Sequence, residues 1–190
     1  SVVPDLTKKY CHIIENELSI TSLIINSSNA KIHLKVSKPN TVGNDRLCNI
    51  KAAIELYTTP AIIIDFGTAT TFDVINNKKE FIGGIIAPGI ETSAEYLFKK
   101  AALLSKIDLE FPKNIIGNDT KSNIQSGIMY GAIDQISGLI NRINKETNTN
   151  NNIILTGGFS KLLSKKLSLK HKLDINLTLK GMILINESNS

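Results

Sequence analysis

The sequence has little of several residue types that mark particular protein classes. Two cysteines, Cys11 and Cys48, are too few for a disulfide framework, and neither they nor the three scattered histidines have metal-ligand spacing. No apolar run approaches the roughly 18 residues that a membrane span needs, and the N-terminus does not resemble a signal peptide. These shortages argue against zinc, disulfide and membrane-spanning proteins and predict a cytoplasmic protein.

Arginine is also scarce, which affects how the net charge of +5 is interpreted. Nearly all of the positive charge comes from lysines, which are spread along the chain in pairs instead of forming one basic stripe with aromatic residues. Nucleic-acid binding is therefore not expected. The 42% hydrophobic content of 190 residues predicts a buried core in one large domain or two small ones.

One segment in the middle of the chain, residues 61–73, has the pattern of a strand, a tight turn and a second strand. Its apolar start ends on Asp65, followed by Gly67 and the hydroxyls of Thr68, Thr70 and Thr71. Exposed N–H groups and hydroxyls in such a turn suit phosphate, and a carboxylate can hold a cation. An ordinary β-turn is the alternative.

Upstream of this segment, a loop containing Gly43, Asn44, Asp45 and Arg46 leads directly into a predicted helix. An acid and a base would therefore lie near the positive N-terminal end of that helix. The alternative is that Asp45 simply caps the helix and Arg46 is solvated.

The rest of the chain alternates between helical and strand patterns. Thr156, Gly157 and Gly158 follow a predicted strand, where bare backbone lets a nucleotide approach. Three glycines in the longest predicted helix suggest close packing against another backbone, a ligand or a second subunit. The predicted helices are 6–18, 47–57, 91–104, 121–145, 160–169 and 177–186, and the predicted strands are 23–25, 32–36, 61–64, 70–75, 81–87 and 152–155.

The order of these glycine-rich segments resembles that of type III pantothenate kinases, within the superfamily of acetate and sugar kinases, Hsp70 and actin. The resemblance extends from Ser1 to Gly181. It implies an α/β, ribonuclease H-like (actin-like ATPase) fold. Residues 1–60 would be the remainder of the N-terminal subdomain with the pantothenate loop, and residues 61–190 a C-terminal ribonuclease H-like subdomain.

The resemblance also implies an activity and its participants. The family phosphorylates pantothenate with ATP and Mg²⁺, is activated by K⁺ or NH₄⁺, and is usually a homodimer. In this chain it implies a general base at Asp45 and a cation ligand at Asp65. The other implied residues are pantothenate contacts at Gly43, Asn44, Arg46 and Thr120, and ATP contacts at Gly67, Thr68, Thr156, Gly157 and Gly158.

One motif of the family is absent from this sequence. Type III pantothenate kinases open with a first phosphate loop, Asp-x-Gly-Asn-Thr, whereas Asp65-Phe66-Gly67 is the only Asp-x-Gly here. We therefore expect an N-terminal truncation, an incomplete first subdomain and an exposed sheet edge. Two alternatives remain: an inactive or regulatory binding module, like the Bvg accessory factors of this family, or a kinase for another alcohol.

Overall fold

The helices and strands are described in a computed structural model that covers residues 4–101 and 106–190. Most of them coincide with the periodicities of the sequence. The helices are α1 (Pro4–Leu18), α2 (Asn44–Leu56), α3 (Ile90–Lys100), α4 (Thr120–Glu146), α5 (Ser160–Ser164) and α6 (Leu177–Glu187), with a short 3₁₀ turn at Pro39–Thr41. The strands are β1 (Ala61–Phe66), β2 (Ala69–Ile75), β3 (Phe81–Pro88), β4 (Asn152–Thr156) and β5 (Lys172–Leu173).

Two predicted strands near the N-terminus do not form. The predicted strand 23–25 is irregular, and it runs into a turn in which the Asn26 side chain accepts hydrogen bonds from the backbone N–H groups of Ser28 and Asn29. This is the side-chain competition with regular structure that asparagine favours. The predicted strand 32–36 is reduced to a single bridge between Leu34 and Phe81. Alternation of apolar residues was present there, but the segment pairs only at this point.

Two predicted helix ends also differ. The predicted helix 160–169 ends at Ser164, and the chain continues to β5 on the edge of the sheet. The backbone N–H of Asp174, just after β5, donates to the Leu155 carbonyl at 2.9 Å. The predicted helix 91–104 ends at Lys100, and residues 102–104 of that prediction lie outside the described residues.

The five strands form one sheet in the order β3-β2-β1-β4-β5. Strands β1, β2 and β3 are joined by short turns, as antiparallel neighbours are, whereas β4 and β5 run parallel to β1. Ala61 to Ile64 of β1 are completely buried, as expected of a central strand covered on both faces. Three antiparallel strands followed by two parallel ones give the ribonuclease H-like arrangement.

Helix α4 is the longest described helix, with 27 residues, and begins with a capping box in which Asp119 and Ser122 bond each other's backbone. Its glycines, Gly127, Gly131 and Gly138, have nothing within 4 Å of where a Cβ would be. Among the described residues, the expected close packing of these glycines is therefore not found. None of the helices in the described residues is long and apolar enough to cross a bilayer.

The chain separates into two compact units. The first unit contains Ser1–Thr59, Asp73–Gly83 and Asn176–Ser190; the second contains Pro60–Phe72 and Gly84–Ile175. The predicted subdomain boundary near residue 60 lies beside one of these divisions, and the division into 1–60 and 61–190 stays a prediction. The hairpin residues 73–83 and the C-terminal helix, however, pack with the first unit.

The first unit is built on a close contact between α2 and α6. A Cβ on Gly181 of α6 would overlap the backbone carbonyl of Cys48 on α2, so the glycine permits direct backbone contact. The Thr178 hydroxyl donates to Asn49 Oδ1 at 2.7 Å across the same contact. Leu47, Ile50, Leu177 and Ile185 complete its buried apolar core.

Candidate active site

In the second unit, the C-terminal ends of β1 and β4 bring together two predicted site residues. The parallel register pairs Asp65 with Thr156. Asp65 is half-buried, and Thr156 is buried. In open α/β sheets, ligands bind outside the carboxyl ends of parallel strands. The structure therefore places Asp65 and the turn after Thr156 at the sheet edge where a ligand is expected.

The turn that follows β4 lies directly against the Asp65 side chain. Gly157 has φ of +89°, and a Cβ there would overlap Asp65 Oδ1. The carbonyl of Gly157 accepts hydrogen bonds from the Ser160 hydroxyl at 2.6 Å and the Ser160 backbone N–H at 3.1 Å. Gly158 is exposed. The Asp65 carboxylate thus faces backbone that carries no side chain. Ser160, the first residue of α5, holds the turn in place.

The turn between β1 and β2 is held in place by the start of α3, which comes later in the sequence. The Thr68 carbonyl accepts from the Gly89 backbone N–H at 3.0 Å and from the Thr92 hydroxyl at 2.7 Å. A Cβ on Gly89 would overlap the carbonyls of Gly67 and Thr68, so this approach requires glycine. The Thr68 side chain and Gly67 are exposed. The turn is therefore pre-organised and open to a ligand.

The described residues contain no group of three or more His, Cys, Asp and Glu side chains that could hold a metal ion. The described residues therefore do not fit a divalent cation that is coordinated by protein side chains alone. A cation with few protein ligands does fit, because the Asp65 carboxylate lies beside the bare backbone of Gly157. The assignment of Asp65 to a cation stays a prediction.

In the first unit, the predicted pantothenate loop of residues 43–46, called the acceptor loop below, forms the N-cap and the first turn of α2. Gly43 occupies the N-cap position, so Asp45 is not the N-cap residue but the second residue of the helix. Asp45 is exposed, and its Oδ1 accepts from the Arg46 backbone N–H at 2.8 Å. The carboxylate is therefore accessible at the N-terminal end of a helix, where negative charge is stabilised.

Arg46 is not solvated, in contrast to the alternative given above for this loop. Its Nε and Nη2 donate to Asp73 Oδ1 at 2.9 and 2.6 Å, and its guanidinium lies 5.6 Å from the centre of the Phe81 ring. Its side chain is 16% exposed. Arg46 is thus held in one orientation by a buried carboxylate and an aromatic face.

Asn44 and Asp45 line a cavity of about 430 Å³ in the first unit. Burial, and secondly the charge of Asp45, raises the pKa of the Cys48 thiol on its wall to about 11. Cys48 is therefore a protonated, unreactive wall residue at neutral pH. The other lining residues are Thr7, Tyr10, Cys11, Ile14, Ser22, Leu23, Ile24, Ile25, Thr178 and Met182.

Thr120, the remaining predicted contact, is the first residue of α4 in the second unit and is exposed. It follows the capping residue Asp119, whose pKa is lowered mainly by the hydrogen bond from the Ser122 backbone N–H. The structure therefore brings the residues predicted at Asp65, Gly67–Thr68 and Thr156–Gly158 together in the second unit. It places Gly43–Arg46 in the first.

Sequence reasoning missed three residues that organise these segments: Asp73, Phe81 and Gly89. A signal existed for Asp73, since a carboxylate between the apolar residues Phe72 and Val74 of a strand needs a partner when buried. For Gly89, the glycine-rich composition indicated a sharp turn but not its contact with the Gly67–Thr68 turn. Phe81 gave no signal beyond a strand residue.

Comparisons with known proteins identify the family of the chain. The family model for type III pantothenate kinase matches residues 1–142. A type III pantothenate kinase of Sulfurihydrogenibium sp. (strain YO3AOP1) is 42% identical over 98% of this chain and 75% of its own length. One from Halalkalibacterium halodurans is 40% identical over 100% of this chain and 75% of its own length.

Solved structures support the fold. A crystal structure of a protein assigned to the Baf family of transcriptional activators, from Campylobacter jejuni, superimposes with a TM-score of 0.62 at 21% identity, covering 94% of this chain and 78% of its own. The Alp12 filament structure gives a TM-score of 0.51 at 14% identity, covering 74% of this chain and 52% of its own. This chain therefore belongs to the type III pantothenate kinase family and has the α/β, ribonuclease H-like fold of the actin-like ATPases.

Proposed function

We propose that this chain transfers the γ-phosphoryl group of ATP to the primary hydroxyl of pantothenate, the first step of coenzyme A biosynthesis. The observation that carries the proposal is the exposed Asp45 carboxylate at the N-terminus of α2, on the wall of the 430 Å³ cavity. A cavity of this volume suits a small organic acceptor. Membership of a kinase family supplies the reaction class.

Asp45 is the proposed general base. An alcohol is a poor nucleophile, and a carboxylate within hydrogen-bond reach accepts its proton as the phosphoryl group is transferred. Such a base typically contributes about 10²- to 10⁴-fold to the rate. Asp45 Oδ1 accepts a hydrogen bond from the next backbone N–H, which orients the carboxylate. The side chain nevertheless stays exposed to solvent.

The neighbouring residues of α2 would bind the rest of the acceptor. Arg46, whose Nε and Nη2 already bond Asp73, would offer its remaining guanidinium donors to a carboxylate such as that of pantothenate. Gly43 and Asn44 would supply backbone and amide groups beside it. Thr120, exposed at the start of α4, is the further acceptor contact that we propose.

The turns of the second unit would bind ATP. The exposed Thr68 hydroxyl would donate to phosphate oxygens, whereas the Gly67 backbone N–H already donates to the Ala69 carbonyl at 3.1 Å. Thr156, Gly157 and Gly158 would border the adenosine. Mg²⁺ arrives with ATP in a kinase of this kind. Asp65 would hold a monovalent cation, K⁺ or NH₄⁺, whose charge offsets that of the phosphates.

Two further properties belong to this proposal. We place the protein in the cytoplasm, where coenzyme A synthesis takes place, and we propose that it forms a homodimer. The three open glycines of α4 provide room for a second subunit. Size-exclusion chromatography with light scattering tests the oligomeric state directly.

The experiment that tests the function is a coupled ATP-consumption assay with pantothenate, combined with detection of 4'-phosphopantothenate by mass spectrometry. Turnover that requires both substrates is the expected result. Pantothenate binding without turnover would replace the kinase with a binding module of the same family. Turnover with other primary alcohols but not with pantothenate would assign a different acceptor.

A further inference from the structure

We propose that Asp73, on β2, is a positioning residue for the acceptor site that acts by fixing Arg46. This inference rests on the proposed function. It assigns a role to a residue that is remote in sequence from the acceptor loop, 27 positions after Arg46. Both residues lie in the first unit, to which residues 73–83 of the β2–β3 hairpin belong.

The geometry of the pair is specific. Asp73 is fully buried, with a side-chain exposure of 0%, and one of its oxygens accepts both the Nε and the Nη2 hydrogen bonds of Arg46. Phe81, on β3, provides an aromatic face 5.6 Å from the same guanidinium. Two strands of one hairpin therefore define where the Arg46 side chain lies.

Arg46 connects two carboxylates. Its side chain bonds Asp73, and its backbone N–H donates to Asp45 Oδ1 at 2.8 Å. A shift of Arg46 that reaches its backbone would therefore also change the donor that orients the Asp45 carboxylate. Asp73 thereby influences the proposed general base through one intervening residue, without touching the acceptor.

The pair also determines how Arg46 would recognise an anion. Asp73 engages two of the five N–H donors that a guanidinium carries, so other donors of the same fork can bind a second carboxylate. The charge of Arg46 is already balanced by Asp73. Recognition of the pantothenate carboxylate would then depend on the fixed direction of the donors more than on net positive charge.

A purely structural role for this ion pair predicts a different result. A buried pair that only stabilised the first unit would change the unfolding temperature, and its loss would leave the Michaelis constants of the folded enzyme unchanged. A positioning role predicts a selective effect on the acceptor. The KM for pantothenate, compared with the KM for ATP, therefore distinguishes the two.

The test uses Asp73→Asn, Arg46→Gln and the double variant in the full chain, with Glu80→Gln as control. Glu80 is a carboxylate on the same hairpin that pairs with Lys35 instead of Arg46. We expect Asp73→Asn to raise the KM for pantothenate about ten-fold, the loss of one charge-assisted contact, with the KM for ATP changed less than about two-fold. The control should match wild type in both constants.

The double variant tests whether Asp73 acts through Arg46. If it does, the KM for pantothenate of the double variant equals that of Arg46→Gln alone, because nothing remains to be positioned. Multiplying effects would overturn the inference, as would an unchanged or lowered KM in Asp73→Asn. A wild-type chain without turnover would refute the proposed function itself, which is a separate outcome.

Asp73→Asn leaves a mostly buried guanidinium without its carboxylate, so this variant can fail to fold. Arg46→Lys then carries the test, since lysine keeps the charge that pairs with Asp73 but lacks the planar fork. We expect a folded protein with a raised KM for pantothenate and an unchanged KM for ATP. Wild-type constants in Arg46→Lys would overturn the inference.

Discussion

The two candidate binding regions, one in each unit, are held in place by different kinds of contact. In the first unit, the acceptor segment of α2 is held by side chains: a buried carboxylate and an aromatic ring fix Arg46. In the second unit, the phosphate-facing turns are held by the main chain, through carbonyls that accept from Gly89 and Ser160 and through glycines that allow the close approach.

This difference corresponds to what each part would bind. Phosphate oxygens are satisfied by backbone N–H groups, which every residue except proline offers, so the turns need a particular shape more than particular side chains. A small organic acceptor must be distinguished from others, and side chains provide that. Substitution of any acceptor-contacting residue of the first unit should therefore weaken its function. In the second unit, mainly substitutions of the constrained glycines should do so.

The largest effect should come from Asp45→Asn in the first unit. Asparagine keeps the shape but cannot accept the proton, so we expect kcat to fall at least about 10²-fold. ATP affinity should be nearly unchanged, because the turns that we propose to bind ATP belong to the second unit. Steady-state kinetics and equilibrium binding of ATP measure the two quantities. Near-normal turnover would remove Asp45 from the role of base.

The next effect should come from Gly181→Ala, which adds a methyl group between α6 and the Cys48 carbonyl of α2. Overpacking of this kind costs about 1–3 kcal/mol, so the free energy of unfolding should fall by about 2 kcal/mol. Gly138→Ala is the matched control, since its Cβ meets open space and alanine favours a helix by about 1 kcal/mol. Urea denaturation of both variants checks this, and equal stabilities would contradict the close contact.

A smaller, selective effect should come from Gly157→Ala in the second unit. The new Cβ would displace Asp65 Oδ1, and φ of +89° strains any residue with a side chain. We expect kcat/KM for ATP to fall about ten-fold, with activation by K⁺ weakened and pantothenate binding retained. Gly158→Ala is the comparison: its Cβ would lie 3.9 Å from the nearest atom, the Phe66 carbonyl oxygen, so this variant should lower kcat/KM less than Gly157→Ala does.

If both glycine variants of the second unit behave alike, the comparison between a side-chain-built and a main-chain-built part fails. The same conclusion follows if Gly157→Ala alters pantothenate binding while ATP binding stays normal. The two alanines differ by a single position in the chain. Their comparison therefore isolates the constraint at Gly157 from a general effect of stiffening the turn.

The smallest effect should come from Asp119→Ala, which removes the cap of α4 beside Thr120. The folded-state pKa of Asp119 is lowered by the Ser122 N–H, so its stabilisation is present above the unfolded pKa and is lost as pH falls through the folded pKa. We expect Tm to drop slightly at pH 7 and the difference from wild type to vanish in acid. Thermal unfolding across pH checks this, and a pH-independent difference would contradict it.

Local patterns predicted the central part of the fold well. The strand–turn–strand of residues 61–73 and the long helix α4 were recognisable because their periodicity, turn glycines and apolar content all agree. The strand predicted at residues 23–25 was wrong because the Asn26 side chain satisfies the backbone locally. The two-residue strand β5 was missed because its pairing with β4 depends on a distant partner.

The chemistry of the site was predictable only where one segment carries it. Asp65, Gly67 and Thr68 lie within one continuous motif, and Asp45 and Arg46 within another. The pairing of Arg46 with Asp73 joins residues from two such motifs, and no periodicity of either indicates it. The contact of Gly89 with the Gly67–Thr68 turn is of the same kind, since it appears only once the chain has folded.

The contact between α2 and α6 also bears on the order in which the protein folds. The two helices are separated by about 120 residues of sequence, so closing them requires a long loop and raises the contact order of the first unit. During synthesis, the second unit is translated completely before α6 exists. The wall of the proposed acceptor cavity that includes Thr178 and Met182 is therefore assembled only after the second unit has been translated.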